Sequence, residues 1–157
     1  MGYRVSSNLG VEEARERMDG RVTIVALVVA NQARSLEFYT QKVGFEIKTD
    51  FAPKGGSRFV TVGPKGDDLG LALWEVGGIP DPSQRELAER WSPGRAPPIV
   101  LRVADCRGLH RELSERGVRF LQPPIDHPWG TSATFVDPDG NLFSLNQPPG
   151  GAPPRRP

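Results

Sequence analysis

Val28-Val29-Ala30-Asn31 and Arg102-Val103-Ala104-Asp105 carry the clearest information about the architecture of this chain. Each stretch leads from the end of a strand-like apolar run to an Asn or Asp that can cap a helix, and the two lie 74 residues apart. Two further pairs keep almost the same offset, Gly44-Phe45 with Gly117-Val118 at 73 and Pro64-Lys65-Gly66 with Pro138-Asp139-Gly140 at 74. A nearly constant offset predicts one module of about 75 residues that occurs twice.

The residues around these landmarks predict the element order βαβββ in each module. The run Val22–Val29 is continuous and rich in β-branched residues, which is typical of a strand covered on both faces. The segment from Asn31 to Gly44 places its apolar residues on one side and predicts a helix. Alternation and turn signals predict strands at 45–49, 58–62 and 69–76, then at 99–103, 118–121, 131–136 and 142–145, with a second helix at 105–117.

The length of 157 residues is enough for one domain. We expect this domain at residues 21–147, with modules at 21–78 and 98–147 and a proline-flanked linker at 79–97 that holds a short helix. Residues 1–20 are predicted to be an N-terminal appendage, and residues 148–157 a Pro/Gly-rich tail.

Charge and hydropathy argue against several classes of partner. The 20 Lys and Arg residues and 19 Asp and Glu residues leave a formal charge of +1, so no strong field attracts nucleic acid or an anionic membrane. The longest apolar run covers residues 22–30, whereas a spanning helix needs about 20 residues. The first twenty residues do not resemble a secretory signal, and the lone Cys106 cannot form an internal disulfide. We therefore expect a cytoplasmic protein without nucleic-acid or membrane partners.

Two motifs resemble those of the vicinal oxygen chelate superfamily, which includes glyoxalases, extradiol dioxygenases and bleomycin-resistance proteins. RSLEFYTQKVGF at residues 34–45 is similar to the family's first helix and following strand, and FVDPDGNL at residues 135–142 is similar to its final hairpin. The resemblance covers residues 22–147 and implies an α+β fold, in which two tandem βαβββ modules form an open cup-shaped mixed sheet with helices on the convex face. It also implies a homodimer whose interface completes the cups.

The resemblance further implies a divalent metal, which family enzymes hold with His or Glu side chains on the strands that line the cup. The corresponding positions in this sequence are Ile24, Pro98 and Ser144, and the fourth falls near Leu71 or Leu73, with Glu75 as the nearest carboxylate. Aliphatic side chains offer no lone pair to an ion. We therefore predict no metal site and no cofactor.

Six residues are candidates for contacts in a metal-free cup. His127 is a candidate acid or base because the ordinary pKa of His is about 6.5. Trp129 is a candidate to stack on a flat ligand, and Arg102 to hold an anionic or carbonyl group. A structural role also stays open for each of them. His127 would then be a hydrogen-bonded loop residue, Trp129 would pack at the cup rim, and Arg102 would form an ion pair. The remaining ligand-binding candidates are Arg58, Glu75 and Ser144.

These observations leave three functions open, and whether the protein is an enzyme is undecided. The first is a glyoxalase/bleomycin-resistance-like protein that sequesters a small aromatic or apolar molecule in a metal-free cup. Because relatives that sequester cationic drugs tend to be acidic, the near-neutral charge favours a neutral or anionic ligand. The second is a metal-independent isomerase, lyase or cyclase that uses His127 as acid or base, with Arg102 stabilising an oxyanion. The third is a metal-dependent glyoxalase or dioxygenase.

Overall fold

A computed structural model describes residues 20–79, 81–90 and 93–150. The first module contains β1 (Ile24–Val29), α1 (Gln32–Glu37) with its π-helical continuation (Phe38–Val43), β2 (Glu46–Phe51), β3 (Phe59–Gly63) and β4 (Gly70–Glu75). A 3-10 turn (Val76–Gly78) follows β4, and α2 (Pro82–Glu89) lies in the predicted linker at 79–97. The second module contains β5 (Ile99–Arg102), α3 (Cys106–Glu115), β6 (Arg119–His127), β7 (Gly130–Val136) and β8 (Leu142–Gln147).

The strands form two four-stranded mixed sheets with the same topology. Sheet 1 has the order β1-β4-β3-β2, and sheet 2 has the order β5-β8-β7-β6. In each sheet the first strand of the module pairs in parallel with the last strand, while the other pairs are antiparallel. The helix after the first strand provides the crossover that a parallel pair requires. The predicted tandem βαβββ arrangement is therefore confirmed, with β1 and β5 at sheet edges.

Local chemistry sets the limits of the two main helices, as the sequence predicts. The side chain of Asn31 accepts a hydrogen bond from the backbone N–H of Arg34 at 2.8 Å, and Asp105 accepts one from Gly108 at 2.8 Å. Both side chains satisfy a donor that the first helical turn leaves free. The first helical segment ends at Gly44, whose φ of 84° lies in the left-handed region that favours glycine.

The two modules share one core, which lies between their helix-covered faces. We call these the inner faces; they include Leu27 and Val29 of sheet 1 and Phe143 and Leu145 of sheet 2. The ring of Tyr39 in the first module lies 5.7 Å from that of Phe143 in the second. The opposite side of each sheet, its outer face, therefore lies away from the shared core, and the two outer faces do not meet within one chain.

Strand β6 is longer than predicted. The sequence predicts a strand at 118–121 that stops before Pro123 and Pro124, but β6 extends to His127. It lies at the edge of sheet 2, where a missing backbone donor removes no hydrogen bond to a second neighbour. The register shift between Gln122 and Ile125 spans the two prolines, and another shift lies just before them, between Phe120 and Gln122.

Some sequence predictions concern residues for which the structure gives no account. The appendage predicted at 1–20 lies outside the described residues apart from Gly20, and so do residues 151–157 of the predicted tail. No helix within residues 20–79, 81–90 and 93–150 has the length and apolar character needed to cross a membrane.

Candidate functional site

The outer face of sheet 1 is apolar. The parallel register of β1 and β4 pairs Ile24 with Gly70, Ala26 with Ala72 and Val28 with Trp74, so these side chains share a face. Thr61 on β3 pairs with Ala72, and strand alternation places Phe59 on the same side. Ile24 is 47% exposed and Phe59 is 37% exposed, although both are large apolar side chains. Large apolar side chains exposed on one sheet face are typical of a binding surface.

A cavity of about 500 Å³ lies where β3 begins and β4 ends, and we call it the Trp74 pocket. Trp74 belongs to the outer face of the sheet, and the next residue, Glu75, points to the inner face. Because both residues line the pocket, the pocket extends around the end of β4. Its lining consists of Gln32, Pro53, Gly56, Ser57, Arg58, Phe59, Trp74, Glu75, Gly78 and Ile79.

Two of the predicted site residues, Arg58 and Glu75, line this pocket together. The guanidinium of Arg58 makes two hydrogen bonds to the carboxylate of Asp50, Nε to Oδ1 at 2.8 Å and Nη2 to Oδ2 at 2.6 Å. This contact lowers the pKa of Asp50 and raises that of Arg58. Glu75 Oε2 accepts the backbone N–H of Gln32 at 2.7 Å, which holds the start of α1 at the end of β4.

A second cavity, of about 690 Å³, follows the open edge of β1. It joins residues 24–28 to residues 95–99, which lead into β5, and Arg90 also reaches it. Both β1 and β5 are edge strands, so each has backbone groups without a partner strand on this side.

The outer face of sheet 2 carries two rows of mostly polar side chains, in contrast to that of sheet 1. The register pairs Arg102 with Asn146 and Asn146 with Ser132, which forms one row of polar side chains across β5, β8 and β7. A neighbouring row pairs Val100 with Ser144 and Ser144 with Thr134. The predicted residues Arg102 and Ser144 thus share a face, and this face lies on the far side of the core from Arg58 and Glu75.

His127 and Trp129 lie at the turn between β6 and β7. The rings are stacked, with centroids 4.3 Å apart and planes 5° from parallel. His127 Nε2 lies 3.1 Å from the Ser132 hydroxyl oxygen, which connects this turn to the polar row. Trp129 is 56% exposed, so its outer surface is open to a ligand or a second chain. The hydrogen bond from Thr131 and the charge of Arg107 lower the pKa of neighbouring Asp126.

The side chains at the family's metal positions do not fit a metal. Ile24, Pro98 and Ser144 supply one neutral hydroxyl between them, and no three His, Cys, Asp or Glu side chains converge anywhere in the described parts of the chain. The fourth position expected at Leu71 or Leu73, with Glu75 nearby, is wrong. The register places these residues on the inner face, and the residues beside β1 on the outer face are Gly70, Ala72 and Trp74. Because successive side chains of a strand point to opposite faces, an error of one residue in the expected position moves it to the other face.

Sequence reasoning missed several residues of these surfaces. In the Trp74 pocket they are Gln32, Ser57 and Phe59, and in the polar row they are Ser132 and Thr134. Strand alternation offered a signal for Trp74, since it separates this residue from Glu75 by face. Alternation alone does not tell which of the two faces is the outer one. The pairing of β4 with β1 decides this. The position of Ser57, in the loop between β2 and β3, follows no sequence pattern.

The fold places this chain among proteins built from two tandem βαβββ modules. The profile of the glyoxalase/bleomycin resistance protein/dioxygenase superfamily matches residues 21–145. The chain belongs to this superfamily.

Individual relatives include both solved structures and curated sequences. The crystal structure of UcmS2 is 34% identical, with a TM-score of 0.71, and the match covers 82% of this chain and 98% of that one. TnmS3, an antibiotic binding protein from Streptomyces sp. CB03234, is 33% identical with a TM-score of 0.70, over 85% of this chain and 99% of its own. YurT of Bacillus subtilis (strain 168) is 32% identical over 81% of this chain and 98% of its own length.

Proposed function

We propose that this protein binds and sequesters a small aromatic or apolar molecule on the outer face of sheet 1. The observation that carries the proposal is the exposure of Ile24 and Phe59 on a sheet face that turns away from the core. Each Å² of apolar surface removed from water contributes about 25 cal/mol, so a flat ligand on this face gains favourable burial. The similarity to TnmS3, an antibiotic binding protein, supports the same class of function.

We propose further that a second copy of the chain completes the cup. In one chain the apolar outer face of sheet 1 and the polar outer face of sheet 2 lie on opposite sides of the core, so they cannot enclose one ligand. A partner that lays its sheet 2 over this chain's sheet 1 brings Arg102, Ser144 and Trp129 of one copy opposite Phe59 and Trp74 of the other. The unpaired edges of β1 and β5 support such pairing. A cytoplasmic location remains part of the proposal.

The binding proposal is tested by titrating the full chain with a panel of planar polycyclic aromatic compounds, with tryptophan fluorescence as the readout. We expect saturable binding by at least one compound, and a weaker affinity after Phe59→Ala. Ile47→Ala is the matched control, because Ile47 is 49% exposed on the same sheet but pairs with Val62 of the inner face. Absence of saturable binding across the panel, or equal effects of the two substitutions, would refute the proposal.

One observation favours a second candidate, a metal-independent enzyme that uses His127. The 3.1 Å separation of His127 Nε2 and the Ser132 hydroxyl places a potential base within hydrogen-bonding distance of a hydroxyl, in the same polar row as Arg102. His127→Ala should lower turnover at least tenfold for an enzyme and leave ligand affinity unchanged for a sequestering protein. The side chains at the metal positions give no support to the third candidate, a metal-dependent glyoxalase or dioxygenase.

A further inference from the structure

We propose that the Trp74 pocket binds a protonated amino group, so that the ligand of this protein is an aromatic or apolar amine. The inference rests on the proposed binding function and adds the chemical class of the ligand. It follows from three properties that the described residues give the pocket: an amide oxygen and a hydroxyl without hydrogen-bond partners, aromatic faces, and a carboxylate without a cationic side-chain partner.

The first property is a group of acceptors that the fold leaves available. Both N–H groups of the Gln32 amide are used, because Nε2 donates to the carbonyl oxygens of Arg58 at 3.0 Å and Leu73 at 2.8 Å. The remaining polar atom of that amide is its oxygen, which can only accept. The Ser57 hydroxyl is buried and has no hydrogen-bond partner. An unpartnered buried hydroxyl is destabilising, and a ligand N–H donor that reaches it would remove this cost.

The second property is the pair of aromatic side chains on the outer-face side of the pocket. Phe59 and Trp74 both line it, and they come from the adjacent antiparallel strands β3 and β4. The negative face of an aromatic ring attracts a cation, and Trp attracts it most strongly. The same rings provide apolar area for the body of a ligand.

The third property is the charge of Glu75. Its Oε2 accepts a neutral backbone N–H, and its carboxylate has no cationic partner within ion-pair distance in the described part of the chain. Arg58 is the one cationic side chain of the pocket lining, and Asp50 neutralises it. The pocket therefore favours a positive ligand although the whole chain carries +1. This differs from the neutral or anionic ligand expected from the overall charge, because recognition depends on local charge.

The test compares three naphthalene probes whose single substituent is cationic, neutral or anionic: 2-naphthylmethylammonium, 2-naphthalenemethanol and 2-naphthoate. Binding to the full chain is measured by calorimetry at low ionic strength. We expect the ammonium probe to bind about tenfold more tightly than the alcohol, and the carboxylate to bind most weakly. Added salt should reduce the advantage of the ammonium probe.

Glu75→Gln should abolish this advantage by weakening the ammonium probe, with a much smaller effect on the affinity for the alcohol. A Gln side chain can still accept the Gln32 N–H, so the start of α1 keeps its contact. Glu115→Gln, an exposed change on α3, is the matched control and should alter none of the three affinities. Ser57→Ala is a second variant, and it should weaken the ammonium probe several-fold and the alcohol less, because the alcohol has one O–H donor and the ammonium has three N–H donors.

Each other outcome has a definite meaning. Equal affinities for the ammonium and the alcohol, or an advantage that survives Glu75→Gln, would overturn the inference and leave the proposed function intact. Failure of all three probes while a polycyclic compound binds would also overturn the inference alone. Failure of every compound, probes and panel together, would overturn both.

Discussion

At the residue level, Asp137 connects the two modules. Its side chain is buried and accepts four hydrogen bonds: from Tyr39 Oη at 2.6 Å, from Asn141 Nδ2 at 2.7 Å, and from the backbone N–H groups of Asp139 at 2.9 Å and Asn141 at 2.8 Å. Burial, followed by the charge of Asp137, raises the pKa of Tyr39, so the phenol remains a donor. The turn at residues 137–141 therefore also accepts a hydrogen bond from Tyr39, which lies 98 residues earlier in the chain.

Tyr39→Phe tests this connection. The substitution removes a buried donor to a carboxylate while keeping the ring, so we expect a loss of about 1 to 3 kcal/mol in the free energy of unfolding. Urea denaturation provides the measurement. Combined with Asp137→Asn in a double-mutant cycle, the two effects should be non-additive. Strict additivity would show that the two side chains do not interact energetically.

Cys106 offers a second test at the same scale. Its side chain is buried and burial is the main factor that raises the pKa of its thiol, so little reactive thiolate is present in the folded state. We expect iodoacetamide at pH 8 to alkylate the native protein at least tenfold more slowly than the urea-unfolded protein, as followed by mass spectrometry. N-acetylcysteine in the same two solvents controls for the reagent. Equal rates in the native and unfolded protein would contradict the burial of Cys106.

At the element level, both modules begin their main helix with an N-cap side chain of the same kind. Asn31 and Asp105 lie 74 residues apart, and each side chain accepts a backbone N–H three residues later. The modules differ in their last hairpin. In the second module Asp139 accepts hydrogen bonds from the backbone N–H of Ala30 at 3.2 Å and from Arg34 at 3.1 Å, so this hairpin holds the start of the first module's helix.

The caps predict a pair of matched substitutions. Asn31→Ala and Asp105→Ala should each lower the free energy of unfolding by about 0.5 to 2 kcal/mol, because each leaves a helical N–H without its acceptor. Asn31→Ser and Asp105→Ser should restore most of the loss, since Ser also caps well. Urea unfolding measures all four variants. A Ser variant no more stable than its Ala counterpart would show that capping is not the cause.

At the level of the whole molecule, the packing of inner face against inner face leaves apolar side chains exposed on both sides. Val100 of sheet 2 is 64% exposed, and Phe51 of sheet 1 is 60% exposed. These exposed surfaces, together with the unpaired edges of β1 and β5, are the basis for proposing a second copy of the chain. The polar row of sheet 2 and the apolar face of sheet 1 become parts of one site only in such a pair.

Light scattering at micromolar concentration should therefore give a mass twice the 17.2 kDa of the chain. Val100→Asp should shift the protein toward the monomer, because a charge at the interface loses its hydration without gaining a partner. Ile47→Asp, which is exposed but on the other side of its sheet, is the control and should leave the mass unchanged. A monomer at these concentrations would refute the proposed pairing.

The sequence by itself determined the duplicated βαβββ order, the caps at Asn31 and Asp105 and the helix end at Gly44, because each depends on interactions within a few residues. It also brought Arg58 and Glu75 forward as candidates, and the structure places both in one pocket. Only the tertiary structure decided that Trp74, and not Glu75, shares the outer face with Ile24, because the face of a strand is defined by the register of its neighbour. The packing of Tyr39 on Phe143 and its bond to Asp137 join residues about 100 positions apart, which no local pattern specifies. That long-range packing is what turns the apolar face of sheet 1 outward and leaves Ile24 and Phe59 exposed.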